Sequence, residues 1–188
     1  MNILISGVLV WIVVHLTPAI ARPLRGKIID RLGNNGYRGL FALAIFGSIA
    51  LIVVGWRSTP ETFVYALPDW TSPVGFVLMI VAFVLLGAAQ YRSLIKRYVR
   101  HPMLAGVFIW AASHLLTNGS TRALVLFGGL GLWALIEMLL ISKREGIYTR
   151  PEATTFSAEL KGVFISAVVF TVVLLLHPYY TGVSLLPR

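Results

Sequence analysis

The chain has 188 residues, 57% of them hydrophobic and only 12% charged, with a formal net charge of +9 and no cysteine. Soluble domains carry about 25% charged residues, so the composition excludes an ordinary soluble domain and points to membrane helices. It also excludes disulfides and thiolate metal sites, and the basic residues, confined to loops between apolar runs, form no base-reading module, which excludes nucleic acid as a partner.

Six apolar stretches predict an all-α, polytopic membrane bundle forming a single domain over residues 1–188. The first span is expected at 3–21. Ala19-Ile20-Ala21 imitates a signal-peptidase site, but no Lys or Arg precedes the apolar run and several follow it, so this span is expected to be retained. Its interior carries His15. Trp11 and Arg22 lie four before and seven after that histidine, so all three share a face if the helix continues through Pro18. A basic loop at 22–38 follows, with Arg22, Arg25, Lys27, Arg31 and Arg38.

The second span is expected at 38–56 and the third at 72–91, separated by an outer loop that Trp56 and Trp70 flank as interfacial anchors. A basic loop at 92–100 leads to Arg100-His101-Pro102, where Pro suits the first turn of the fourth span, 102–118. On that span Trp110, His114 and Asn118 fall at four-residue spacing, a stripe able either to line a cofactor cleft or to hydrogen-bond a neighbouring helix. The fifth span, 122–141, opens on Arg122, and the stretch 123–142 contains only one charge, Glu137, read as a proton or substrate handle or as a side chain snorkelling to the inner surface. A basic loop at 143–161 precedes the sixth span, 161–179, where His177 stands before Pro178 as an interfacial residue. Strands have no evident place.

Thirteen of the sixteen Lys and Arg residues fall in the loops at 22–38, 92–100 and 143–161, and Arg57, Arg122 and Arg188 fall on the other side. Cationic loops are retained in the cytoplasm, so both termini are expected to be periplasmic, and the basic loops meet anionic membrane lipid.

An ionisable side chain inside an apolar span is costly and is a functional candidate by default, which selects His15 and His114. By helical rise they lie about 9 Å and about 18 Å from the inner ends of their spans. That depth difference must be absorbed by tilt or by a kink at Pro18 if the two act together. His101, at the basic inner surface beside Arg100, is read as an anion-binding residue instead.

The run His15-Leu16-Thr17-Pro18, Arg22-Pro23-Leu24-Arg25, Gly33, Gly36-Tyr37-Arg38 and Phe41 resembles the opening signature of the NnrU family of bacterial inner-membrane proteins. Arg100-His101-Pro102, Gly106, Trp110, Ser113-His114-Leu115-Leu116 and Asn118-Gly119 resemble its second signature. The resemblance implies a link to nitrite and nitric oxide reduction, after which the family is named. The family is similar to plastid zeta-carotene isomerase, a membrane enzyme that binds haem b. The resemblance implies haem b with His15 and His114 as axial ligands and isomerase or redox chemistry on a lipid-soluble substrate. Trp110 would lie near the macrocycle, Asn118 would orient it, and Arg22, Arg25 or Arg100 would meet its propionates. Ala111 stands where the isomerase has an alternative cysteine ligand, so redox exchange of that ligand is not implied. One further alternative is a non-enzymatic membrane factor for denitrification or haem handling.

The fourth span's Arg100-His101-Pro102 with Gly106 also resembles the S-adenosylmethionine segment of isoprenylcysteine carboxyl methyltransferases. The run Lys143-Arg144-Glu145-Gly146-Ile147-Tyr148, however, lacks the acidic and tyrosine pairs of those enzymes' second motif.

Overall fold

Apolar residues dominate every long stretch that avoids Pro and Gly clusters, and with no water to satisfy the backbone such stretches fold as helices. The computed structural model describes residues 1–152 and 154–182, and these form six long helices and a short 3₁₀ turn, Leu94–Arg97. The long helices are α1 (Asn2–Ile20), α2 (Arg22–Ser58), α3 (Thr71–Ala88), α4 (Pro102–Thr117), α5 (Thr121–Glu145) and α6 (Phe156–Thr181). Five are long and apolar enough to cross a membrane, and α4 is a shorter apolar helix of 16 residues. Among the described residues β-pairing is limited to an isolated bridge between Phe63 and Ser120.

Two expectations are corrected. The segment 22–38 is helical: α2 begins at Arg22, with Pro23 suited to its first turn. Gly33, at φ 70° and ψ 171°, breaks α2 between its basic start and its apolar span, and that backbone conformation is the reason for a glycine there. Helix α6 also begins before the expected 161, at Phe156, where the Thr155 hydroxyl caps it by accepting from the Ala158 amide, and it runs through Pro178 to Thr181 before the left-handed Gly182. Arg188, counted above among the outer charges, lies outside the described residues.

The helices pack in the order α2, α1, α5, α4, α3, α6. Small residues let backbones approach, the main means of association where lipid removes the hydrophobic drive between helices. Gly7 of α1 abuts Ile52 of α2 and Gly55 abuts Leu4, which makes the pair antiparallel. Gly75 of α3 meets Ser113 and Thr117 of α4, Gly106 of α4 meets Ala82 and Leu86, and the Ser113 hydroxyl donates to the Gly75 carbonyl at 2.7 Å. Helix α5 sits between the two hairpins. It runs parallel to α1, with Gly129 against Val8 and Trp133 against Trp11. Outward-facing Leu43, Phe46, Leu139 and Phe164 are exposed apolar side chains, as a lipid-facing surface requires.

Each end of the bundle is closed by polar groups that satisfy one another. At the basic end the Glu159 carboxylate of α6 accepts from Ser93 Oγ at 2.7 Å and from the Leu94 amide at 2.8 Å. At the opposite end Tyr65 donates to the Leu115 carbonyl at 2.6 Å. There Arg122 pairs with Glu61 at 2.8 Å while its guanidinium lies 4.5 Å over the Trp56 ring.

Candidate functional site

His15 and His114 are built into the bundle by the same local device. Each lies four residues after a tryptophan, so the helical turn brings its ring onto that indole and its Nδ1 under that residue's carbonyl. His15 Nδ1 is 2.9 Å from Trp11 O, and His114 Nδ1 is 2.9 Å from Trp110 O. A carbonyl only accepts, so both Nδ1 atoms donate, and the neutral rings carry their lone pairs on Nε2. An imidazole oriented through one nitrogen and free at the other is the form in which histidine binds a metal.

Helix α5 supplies the second wall for both histidines, at two levels. Phe127 lies in a π-turn, Leu124–Gly128, a helix irregularity often found at functional sites. Its ring stacks on His114 with centroids 4.1 Å apart and planes at 17°, and it also meets Trp110 and Trp56. Trp133 packs on His15 with centroids 4.8 Å apart and meets Trp11 edge-to-face at 5.6 Å. Phe41 of α2 closes the His15 side at 5.7 Å, and Tyr37, under the Arg25 guanidinium, continues the row toward the basic end. Phe127 and Trp133 are six residues apart, so the two imidazoles face α5 at levels roughly 9 Å apart by helical rise. The depth difference read from the spans is thus present in the bundle.

The other predicted residues fall in three places. Trp110 is beside His114, 4.8 Å between rings. Arg22 is not on the face of His15: Ala21 leaves helical geometry, α1 ends at Ile20, and Arg22 opens α2. Asn118 is not on the Trp110–His114 stripe either, because α4 ends at Thr117. Its side-chain oxygen instead accepts from the Ser120 amide at 3.0 Å and shapes the turn into α5.

Arg100 and His101 are engaged by the end of α5. Arg100 donates to Gly146 O at 2.7 Å, pairs with Glu145 at 3.2 Å and lies over the Tyr148 ring, and His101 Nε2 is 2.8 Å from Ser142 Oγ. Burial, then the adjacent Arg100 charge, holds the His101 imidazole below its ordinary range, against the pull of Glu145. In this arrangement the Arg-His-Pro motif ties α4 to α5 at the basic end. His177 lies within electrostatic reach of His114, and its carbonyl accepts from Thr181 Oγ1 at 2.7 Å.

Trp133 and Phe127 were not read from the sequence as site residues. A signal was present for Trp133, since it precedes Glu137 by four residues on span 5 just as Trp11 precedes His15 on span 1. Phe127 had none, because the π-turn that directs it at His114 leaves no mark in hydropathy.

The donor chemistry of the two histidines fits haem iron, whereas their levels do not meet. To hold one iron together the two imidazoles would have to meet at one level, whereas the α5 residues they pack on, Trp133 and Phe127, are six residues apart. No group of three or more His, Cys, Asp or Glu side chains able to hold a metal ion occurs among the described residues.

Among families of known proteins, the model described as NnrU protein matches residues 3–185, and the chain therefore belongs to the NnrU family. No curated protein matches it, and no solved structure does.

Proposed function

Starting from membership of the NnrU family, we propose that the chain is an integral membrane haem b protein serving a lipid-soluble substrate, with His15 and His114 as iron ligands. The observation that carries the proposal is the shared anchoring of both rings through Nδ1 to the carbonyl four residues back, which leaves Nε2 as the ligand nitrogen on each. Haem would supply a redox-active iron and a Lewis acid. The chain supplies orientation of the imidazoles, an apolar aromatic surround from Trp11, Trp110, Phe127 and Trp133, and exclusion of water. The likeness to the plastid carotenoid isomerase adds isomerase or redox chemistry to this reading. Bringing both histidines to one iron requires α1 and α4 to shift relative to each other along α5. Pro18 and the π-turn at Leu124–Gly128 are where helix register is adjustable.

The two-level placement favours a second reading, a membrane factor for haem handling or denitrification that holds haem through one histidine at a time. Visible spectra of protein purified from haem-replete membranes test both. Bis-histidine ligation gives sharp α and β bands on reduction, and His15→Ala and His114→Ala each remove or shift them. Ligation by one residue gives a spectrum that only one of the two variants changes. Colourless wild-type protein, or an unaltered spectrum in both variants, overturns haem binding.

A further inference from the structure

The first turns of α2, residues 22–32, are helical yet set apart from the spans on both sides. Ala21, at φ −108° and ψ 51°, leaves helical geometry after α1, and Gly33, at φ 70° and ψ 171°, separates the segment from the rest of α2. Its axis is therefore free of the direction of either span, while its level is fixed. The 19 residues of α1 extend about 28 Å, close to the ~30 Å of a bilayer's hydrocarbon core, so Arg22 opens the segment where the headgroups begin.

The side chains of the segment sort by face. At about 100° per residue, Leu24, Ile28 and Leu32 form a stripe about 80° wide. Leu24 is 52% exposed and Leu32 56%, with Ile28 half-buried between them. Arg31 stands about 20° beyond the Leu24 edge of the stripe and Arg25 about 20° beyond the Leu32 edge, and Lys27 and Asp30 lie further round on the Arg31 side. All four of these charged residues are exposed. Arg22, Arg25, Lys27 and Arg31 against Asp30 give the segment a net charge of +3. An apolar stripe rimmed on both edges by arginine is the pattern of a helix lying in a membrane surface, where leucines enter the acyl region and guanidinium groups reach back to phosphates. An acidic protein surface would answer the charges, but it would not answer the leucines at this level. The segment is joined at both ends to spans, so the surface within its reach is the leaflet that those spans cross.

We propose that residues 22–32 form an interfacial helix that binds anionic phospholipid at the basic end of the bundle. Leu24, Ile28 and Leu32 lie among the acyl chains, and Arg25, Lys27 and Arg31 engage the headgroup phosphates, each cation adding to attraction by an anionic leaflet. The binding is independent of haem and of the iron ligands proposed above.

The chain has no cysteine, so spin labels can be placed one at a time through Leu24→Cys, Lys27→Cys, Ile28→Cys, Asp30→Cys and Leu32→Cys. The full chain is reconstituted in nanodiscs of phosphatidylcholine, alone or mixed with phosphatidylglycerol, and label collisions with oxygen and with a water-soluble nickel chelate are measured. The oxygen-to-nickel ratio at 24, 28 and 32 should exceed that at 27 and 30 by about threefold or more, and should rise further with phosphatidylglycerol. Lys27→Glu with Arg31→Glu, read by the label at 28, should abolish the rise, and Lys27→Gln with Arg31→Gln should do the same without reversing charge. Both side chains are exposed, so both double variants should unfold at wild-type SDS, which separates lost lipid binding from misfolding. Equal ratios at all five positions would place the stripe in water and overturn the proposal. Labels at 24, 28 and 32 shielded from both reagents would show protein covering the stripe and overturn it too, as would a rise with phosphatidylglycerol that survives in both double variants.

Discussion

Gly55→Ala probes the contact on which the position of His15 depends. A Cβ at residue 55 would stand 2.9 Å from the Ile3 carbonyl carbon and closer still to the Leu4 nitrogen and Cα. These are backbone atoms, so no rotamer change relieves the clash, and α1 and α2 must separate by about 1 Å to reach ordinary contact. Leu4 is 0% exposed and loses most by that movement. A buried leucine makes some 40–60 contacts of about 0.1–0.2 kcal/mol, and a gap of this size forfeits a quarter to a half of each. With about half of those contacts facing α2, the loss is about 0.5–3 kcal/mol, a range that contains the usual cost of overpacking.

The assay is SDS titration of purified protein in mixed micelles, followed by tryptophan fluorescence. Gly47→Ala serves as the control, since a Cβ there meets nothing within 4 Å and Ala is favoured over Gly in a helix by up to about 1 kcal/mol. Gly55→Ala should unfold at distinctly lower SDS, and Gly47→Ala at wild-type SDS or higher. Equal stability of the two variants would mean that α1 and α2 do not touch through Leu4 and Gly55, and the placement of Trp11 and His15 against α5 would fall with it.

Two predictions concern the basic end of the bundle. Single cysteines placed at 57–70 should react with an impermeant reagent from the periplasm, and those at 22–38, 92–100 and 143–161 only from the cytoplasm; reactivity of the 92–100 loop from the periplasm would refute the orientation. The second concerns His101, whose pKa in the folded protein lies below its ordinary value of 6.5. The unfolded chain then binds more protons as pH falls through that value, so stability should be flat above it and decline below it. His101→Gln, which keeps a partner for Ser142, should flatten the decline in thermal unfolding measured in detergent between pH 7.5 and 5.5, while a slope identical to wild type would show that His101 is not its source.

Hydropathy and charge were sufficient to place the helices, because a chain that must satisfy its backbone in lipid has few alternatives to helix. The limits were legible wherever a breaker was unambiguous, as at Pro102. They were not legible at 22–38, where basic residues read as a loop are compatible with an exposed helix and only Gly33 interrupts it. His15 and His114 were legible because an imidazole in an apolar run is conspicuous. The fates of Arg100 and Asn118 were not, since Glu145, Gly146 and Ser120 become their partners only once α4 ends and α5 packs beside it. Trp133 went unread for a different reason: an indole counts as apolar in hydropathy, which conceals the donor that sets it apart from phenylalanine.

That concealed donor is used inside the bundle, as the charged motifs are. The charged motifs that dominate the sequence, Arg100-His101-Pro102 and the pairing of Arg122 with Glu61, are spent on holding helix ends together, and their polar atoms are almost all answered within the chain. Such groups can be exchanged for other well-paired groups at modest cost. The Trp133 indole N–H likewise lies at the Glu137 carboxylate, one turn along the same face of α5.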